Sequence, residues 1–160
     1  MRQWLKTSDM TARQMVDLPP IWLVGFICLV WLQAWLWPGA TFVHPIVNLA
    51  GTILFWAGIA LMIWAILAFR AHKTSVVPHQ VPRTIITSGP FGRSRNPIYL
   101  GDLMVLGGVI LSKGTWPCLI LLPIFKTILV RRFIAPEELR LKENFGTDFE
   151  HYVKKTPRWL

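Results

Sequence analysis

Residues 87–101, which read TSGPFGRSRNPIYLG, decide the fold because they form a polar loop between two apolar parts of the chain. The loop has two early helix breakers, Gly89 and Pro90, followed by two arginines, an Asn-Pro step and two aromatic residues. A loop that only connects two membrane helices does not need this combination of side chains. The sequence therefore predicts a binding site for a charged, flat small molecule at a membrane face.

The composition predicts one integral membrane domain that covers residues 1–160. Of the 160 residues, 53% are hydrophobic, and the formal net charge is +9. Basic residues beside apolar spans meet anionic lipid head groups, and this explanation takes precedence over nucleic-acid binding. Cys28 and Cys118 both lie in apolar runs, so the sequence predicts neither a disulfide framework nor a cysteine metal site.

Two long apolar runs, 20–37 and 45–69, predict membrane-spanning helices. A hydrocarbon core of about 30 Å needs about 20 helical residues, and both runs approach or exceed that length. No small-residue cleavage site follows the first run, so an uncleaved anchor is predicted rather than a signal peptide. Residues 1–69 are thus predicted to form a two-helix anchor.

The third and fourth apolar runs predict a short hairpin. The run 99–111 is short for a crossing, and the run 115–134 contains two prolines. Gly107 and Gly108 are expected to let the two hairpin helices approach closely. The predicted fold class is an all-α integral membrane protein with about four transmembrane helices and a cytosolic amphipathic C-terminal helical tail. Loop, hairpin and tail together occupy residues 70–160.

The distribution of Lys and Arg predicts the orientation. These residues occur before the first run, in the long loop after the second run and in the tail. The hairpin tip carries only Lys113, and the first connection carries none. By the positive-inside rule, both termini and the long loop are predicted to be cytoplasmic, so the candidate site faces the cytosol.

Asp102 and Lys126 are charged residues inside the predicted hairpin. An unpaired charge at mid-membrane costs about 2.5–3.5 kcal/mol on insertion scales. Both residues lie at a similar distance along the chain from Lys113, so antiparallel helices would bring them to the same depth. The sequence predicts that they pair or line one polar cavity, and it leaves open that each reaches the interface separately.

The tail after the fourth run is predicted to be one amphipathic segment, with Phe145, Phe149, Tyr152 and Val153 on one side.

Two neighbouring glutamates stand at the start of this tail. Pro136 fits a first helical position, and Glu137 and Glu138 fit the first turn, where the helix dipole favours carboxylates. Glu138 and Lys142 have the spacing of a surface ion pair. The residues alone leave open whether the glutamates have this structural role or contact a ligand.

Two motifs, in this order and spacing, resemble a known family. Residues 87–101 are followed about forty residues later by EELRLKENFGTDFEHYVKKTPRW at 137–159. Together they resemble the isoprenylcysteine carboxyl methyltransferase family, part of a wider group that includes phospholipid N-methyltransferases. The resemblance covers residues 74–159, whereas the first two apolar runs match only as hydrophobic helices.

The resemblance implies a cytosol-facing pocket for S-adenosyl-L-methionine and a lipid-side opening for a lipid or small hydrophobic substrate. By position, the residues expected to contact the cofactor are His79, Arg83, Thr84, Ile85, Ile86, Phe91, Arg95, Asn96, Pro97, Ile98, Tyr99 and Glu137. The residues expected on the catalytic, substrate-facing side are Arg131, Arg132 and Glu138.

The sequence departs from the family pattern at three places. Asn96 stands where many members have His, so an imidazole cannot act there. Phe91 stands where Tyr is frequent, which keeps the ring and loses the hydroxyl. The substrate-side Arg of eukaryotic members aligns near Phe133, which leaves the choice between Arg131 and Arg132 open.

The residue types agree with methyl transfer from a sulfonium. Phe91 and Tyr99 can offer aromatic faces to a cation, and Glu137 can accept hydrogen bonds. A carboxylate or thiolate acceptor needs no general base, so alignment in a dry pocket is the main requirement.

The acceptor is left open by these residues. The first expected acceptor is an isoprenylcysteine-type carboxylate, with a phospholipid amine or a small thiol as alternatives. An NADPH-dependent membrane reductase and a non-catalytic scaffold stay open as other classes. His72 and His79 lack a third ligand nearby, so no metal site is predicted.

Overall fold

The computed structural model describes residues 18–72 and 84–160, and helices make up the regular structure of this part of the chain. The α-helices are α1 (Pro19–Leu36), α2 (Pro45–Ala71), α3 (Pro97–Lys113), α4 (Leu121–Ile128), α5 (Ala135–Phe145) and α6 (Thr147–Lys155). Short 3-10 helices lie at Pro38–Ala40, Gly89–Gly92 and Trp116–Ile120, and a π-helix lies at Leu129–Ile134. The predicted all-α class is confirmed.

Proline marks the start of the first three α-helices. Pro19, Pro45 and Pro97 occupy the first helical position, where a backbone N–H would have no partner in the helix. Helix α3 ends at Gly114, whose φ of 64° is the left-handed conformation that glycine adopts at helix ends. The third helix is therefore longer than its apolar run of 99–111.

Two of the described helices, α1 and α2, are long and apolar enough to cross a bilayer. Many of their large apolar side chains are exposed; Trp35 and Trp56, for example, are 77% and 62% exposed. Lipid tails can cover such an apolar surface, whereas in water a large apolar area would stay exposed to solvent. The two helices therefore indicate membrane association.

Helices α2 and α3 pack closely through two facing pairs of glycines. A Cβ atom on Gly108 would lie 2.7 Å from the Gly51 carbonyl oxygen, and one on Gly101 would lie 2.9 Å from the Gly58 carbonyl oxygen. The spacing of seven residues on both helices keeps the pairs on one antiparallel seam. Of the two glycines predicted to bring the hairpin helices together, Gly108 faces α2 instead, whereas a Cβ atom on Gly107 would meet both Leu54 of α2 and Leu122 of α4.

One helical rod runs from Trp116 to Phe145 through 3-10, α, π and α segments. The residues at its internal junctions, Ile120, Ile128 and Ile134, all have right-handed helical backbone angles. Pro136 lies two residues after the end of the π-helix. In a regular α-helix its ring would clash with a carbonyl one turn earlier, and the wider π turn relieves this crowding. The α-helix thus begins one residue before the predicted position, with Pro136, Glu137 and Glu138 in its first turn, but it continues the π-helix instead of following a loop.

The core joins α1, α3 and this rod. Its buried residues include Val30, Leu106, Phe125 and Leu129, and the rings of Phe26 and Phe125 lie 4.8 Å apart. The charged residues beside this core do not form the predicted pair. Lys126 is exposed, and its Nζ lies 5.5 Å from the Trp159 ring centroid.

The predicted single tail is two helices. Gly146, with φ of 50°, separates α5 from α6. Phe149 and Tyr152 are buried as predicted, whereas Val153 is exposed. The Glu138–Lys142 surface pair is replaced by an ion pair of 3.4 Å between Lys142 and Glu150.

Candidate functional site

Tyr99 and Glu137 connect the start of α3 to the start of α5. The Tyr99 hydroxyl donates a hydrogen bond of 3.1 Å to Glu137 Oε2, although the two residues are 38 positions apart in the chain. The Tyr99 ring also stacks on Phe133, at 6.3 Å between centroids and 27° between planes. The structure thus brings two predicted cofactor residues into direct contact.

The Glu137 carboxyl lies where the start of α5 meets the start of α3, a place called the crevice below. The residue keeps solvent-accessible surface, yet protein atoms surround its carboxyl closely. This partial burial raises the pKa of Glu137 above its ordinary value, and the hydrogen bond from Tyr99 and the charge of Arg140 oppose the rise. A cation bound beside this carboxylate would stabilise its ionised form and so offset the free energy that ionisation costs at this place.

Glu138 accepts from two arginines. Arg158 donates through Nε at 3.1 Å and through Nη2 at 2.5 Å, which is the paired geometry that guanidinium groups favour. Arg95 Nη2 lies 3.4 Å from Glu138 Oε1. The bond to Glu138 raises the pKa of Arg158, so this arginine stays charged. Glu138 thereby ties the polar loop and the segment after α6 to α5.

Backbone and side-chain bonds hold the loop against residues 157–158. Arg95 N–H donates to the Pro157 carbonyl at 3.0 Å. Ser94 Oγ and Asn96 Nδ2 donate to the Arg158 carbonyl at 3.3 and 3.1 Å. Asn96 is buried and uses its amide for this contact. The loop is therefore fixed by the tail rather than by its own turns alone.

An apolar cluster supports the front of the loop. Phe91 is buried with Ile86 and Ala65, and its ring meets Phe69 of α2 edge-on at 4.9 Å. The Tyr152 hydroxyl of α6 donates to the Phe91 carbonyl at 2.7 Å. Phe91 is thus held through its ring by Phe69 and through its backbone carbonyl by Tyr152.

The other predicted cofactor residues in the described part have different environments. Pro97 is buried and Ile98 is half-buried against the same apolar cluster. Ile85 is half-buried, whereas Thr84 is exposed. His79 and Arg83 lie outside the described residues.

The two candidate substrate arginines lie in the π-helix. Arg131 and Arg132 are both exposed, and the Arg132 guanidinium lies 5.3 Å from the Trp22 ring of α1. Phe133, the next residue, is buried and stacks on Tyr99. π turns are frequent at functional sites, because they change which side chains face a cavity.

Three contacting residues, Ser94, Tyr152 and Arg158, were not predicted as site residues. Their signal was present in the sequence, since Ser94 lies in the first motif and the other two lie in the second. What they contact depends on the tertiary structure. Within the described ranges no group of three metal-ligating side chains exists, and His72 Nδ1 lies 2.9 Å from the Ala68 carbonyl oxygen.

Comparisons with known proteins identify the family. A search of curated proteins gave no match, and a search of solved structures gave none either. The profile of the phospholipid methyltransferase family matches residues 46–148, which is more than half of the chain. The matched part contains Tyr99, both glutamates and both arginines of the π-helix. The chain therefore belongs to the phospholipid methyltransferase family, within the isoprenylcysteine carboxyl methyltransferase-related group.

Proposed function

We propose that this protein transfers a methyl group from S-adenosylmethionine to a lipid acceptor at the cytosolic face of a membrane. The contact between Tyr99 and Glu137 carries the proposal, because it builds an anionic crevice at the junction of the two family motifs. Family membership supports methyl transfer to a membrane lipid-type substrate. We also propose four spans with both termini in the cytosol, on the basis of the Lys and Arg distribution.

The side chains around the crevice fit the cofactor chemically. When bound, S-adenosylmethionine supplies an electrophilic methyl group on a positively charged sulfur. Glu137 would accept hydrogen bonds from the ammonium or ribose hydroxyls, and the Tyr99 face would lie beside the cation. Arg95 Nε is buried and has no hydrogen-bond partner among the described residues, so it can donate to a carboxylate.

The remaining predicted residues have supporting positions in this proposal. Glu138 holds Arg95 and Arg158 and so positions the loop, rather than meeting the substrate itself. Phe91 and Asn96 fix the two ends of the loop through the contacts described above. His79, Arg83 and residues 84–86, which precede the first motif within the resemblance, are proposed to complete the cofactor side.

The arginines of the π-helix are proposed to hold the anionic part of the acceptor. Arg131 and Arg132 lie within the rod, after its apolar part and before the glutamates, which in the proposed orientation is between the lipid and the crevice. A phosphate is the anion that guanidinium groups bind well, and every phospholipid head group carries one. Because the family is that of phospholipid methyltransferases, we place a phospholipid amine ahead of an isoprenylcysteine carboxylate as the acceptor.

Catalysis then depends mainly on alignment. The nucleophile, the methyl carbon and the sulfur must lie in line, and pre-alignment of reactants contributes about 7–11 kcal/mol in favourable cases. The paired motifs supply two fixed walls for this alignment.

Binding of S-adenosylhomocysteine and S-adenosylmethionine to the detergent-purified protein, measured by calorimetry, tests the proposal. We expect the Glu137→Gln variant to bind S-adenosylmethionine about 10- to 100-fold more weakly, since a hydrogen bond to a charged group contributes about 1.5–3 kcal/mol. Glu143→Gln, an exposed residue on the same helix, is the matched control and should bind as the wild type does.

A methyl-transfer assay with labelled cofactor completes the test. Phosphatidylethanolamine in mixed micelles is expected to be labelled, and a farnesylated cysteine analogue serves as the competing acceptor. A folded wild-type protein that binds neither adenosyl ligand would refute the proposal.

A further inference from the structure

Asp102 is a buried carboxylate that the site described above does not use. It lies in the second turn of α3 and has no exposed surface. Neither of its oxygens has a hydrogen-bond partner within residues 18–72 and 84–160. An unpaired buried carboxylate costs several kcal/mol, and buried polar groups are normally paired. Such a group calls for an explanation other than stability.

Asp102 lies directly beside the candidate site. It follows Tyr99 by three residues, which places it about 4.5 Å further along α3 and on the same side of the helix. The Tyr99 hydroxyl, one turn before it, bonds to Glu137. In the proposed orientation, Asp102 therefore lies one turn deeper in the membrane than the anionic crevice.

The surrounding elements bring few charges to Asp102. Helix α2 has one ionisable residue, Arg70, which lies twelve residues beyond Gly58, the residue that faces Gly101 next to Asp102. Lys126 faces Trp159, and Arg132 faces Trp22. The other titratable residues nearby are Cys28, Cys118 and Arg131 and, around Tyr99 at the start of α5, Glu137, Glu138 and Arg140. A cation that pairs with Asp102 would thus come from a ligand.

We propose that Asp102 binds the ammonium group of a phospholipid acceptor and takes up its proton before methyl transfer. The inference rests on the proposed function and narrows its substrate class to amines. A buried anion at this place attracts a cationic head group, whereas it repels a carboxylate or a thiolate.

The proton transfer is required by the chemistry of amines. A primary ammonium has no lone pair, so it cannot attack a methyl group. The Asp102 carboxylate takes one proton and becomes a neutral acid, and the amine nitrogen then forms a bond to the methyl carbon. The bond from this carbon to sulfur breaks, and its electron pair stays on sulfur as a neutral thioether. The product is a methylammonium lipid, and Asp102 later returns its proton to water.

The Asp102→Asn variant of the full chain tests this role, because it keeps the shape and removes both the charge and the basicity. Adenosylhomocysteine binding is expected to stay within about twofold of wild type. Methylation of phosphatidylethanolamine is expected to fall at least about 100-fold, as removal of a general base does. Activity of the variant should rise steadily with pH, as free amine forms without help. Asp148→Asn, an exposed aspartate of α6, is the matched control.

Each result separates the two proposals. If Asp102→Asn methylates phosphatidylethanolamine at the wild-type rate with the wild-type pH profile, the role of Asp102 is refuted and the proposed function stands. Labelling of the farnesylated cysteine analogue alone, unchanged in the variant, refutes it as well. A wild type that binds no adenosyl ligand refutes both. Asp102→Ala, which leaves no buried polar group, gives the same comparison if the Asn variant misfolds.

Discussion

At the residue scale, the two neighbouring glutamates have separate tasks. Glu138 is engaged by Arg158 and Arg95, whereas Glu137 accepts a hydrogen bond from the Tyr99 hydroxyl, lies near the charge of Arg140 and keeps a face toward the crevice. Adjacent residues on a helix point about 100° apart, so one side chain can support the loop while the other faces a ligand. The two neighbouring glutamates thus combine a structural ion pair at Glu138 with a carboxylate at Glu137 that is proposed to bind the cofactor.

The raised pKa of Glu137 leads to a pH-dependent affinity. Its pKa in the folded protein lies above the ordinary value of 4.5, so the group takes up a proton at a pH where a free glutamate is still ionised. Protonation removes the anion that a sulfonium or ammonium needs. Affinity for S-adenosylmethionine is therefore expected to fall as the pH decreases toward this raised pKa, and the fall should begin at a pH above 4.5.

Calorimetry at a series of pH values measures this dependence, and near the raised pKa binding should also release protons to the buffer. The free energy of unfolding depends on pH in the opposite direction. Ionisation of a carboxyl with a raised pKa is costly in the folded protein, so stability decreases as the pH rises through that pKa. The Glu137→Gln variant is expected to lack the Glu137 part of the pH dependence. An equal decline of affinity in wild type and variant would contradict the assignment to Glu137.

At the element scale, the two adjacent glycines of α3, Gly107 and Gly108, differ in how closely other residues approach them at the seam with α2. Gly108→Ala would place its Cβ 2.6 Å from the Phe55 backbone nitrogen, so the helices must move apart. Overpacking of this kind costs about 1–3 kcal/mol. Gly107→Ala meets Leu54 at 3.5 Å, an ordinary contact, and alanine favours the helix by up to about 1 kcal/mol.

Thermal unfolding in detergent compares the two variants. The midpoint is expected to fall for Gly108→Ala and to hold or rise for Gly107→Ala. Equal midpoints for the two neighbours would show that the seam does not limit stability.

The sequence predicted some of these elements and missed others for physical reasons. Apolar run length and Pro45 or Pro97 are local signals, so the first three helices could be placed. The glycine seam could not be assigned to its partner helix, because Gly108 shows only that something approaches closely. The π-helix was missed because it results from Pro136 lying inside a longer rod, and no local pattern distinguishes that from a helix start.

The candidate site shows the same division. The resemblance identified Tyr99 and Glu137 as site residues, but only the fold shows that they touch. Arg158 was missed because its role is a contact with Glu138 across 20 positions. The sequence predicted a pair between Asp102 and Lys126 because both lie at a similar depth in the membrane. Depth does not specify the direction in which a side chain points from its helix, and in the structure Lys126 lies by Trp159 while Asp102 has no hydrogen-bond partner among the described residues.

At the scale of the whole molecule, the proposed four-span orientation places Lys113 and Lys155 on opposite sides of the membrane. Cysteine labelling tests this in a background where Cys28 and Cys118 are replaced by Ser. We expect a membrane-impermeant maleimide to react with Lys155→Cys from the cytosolic side and with Lys113→Cys from the other side.

Inverted vesicles expose the cytosolic side to the maleimide and right-side-out vesicles expose the other side. Detergent-opened vesicles are the control that both cysteines can react. Labelling of both positions from the same side would show that the third and fourth segments do not cross the membrane. The two-helix anchor alone would then hold the protein.

The rod from Trp116 to Phe145 has a consequence for the height at which chemistry occurs. At 1.5 Å per residue it measures roughly 45 Å, which is longer than a hydrocarbon core of about 30 Å. Because the rod is continuously helical, the number of residues between its membrane-embedded part and Glu137 determines how far Glu137 lies from the bilayer centre. Many substitutions along it should be tolerated, whereas one inserted residue would lift Glu137 and turn it about 100° away from Tyr99.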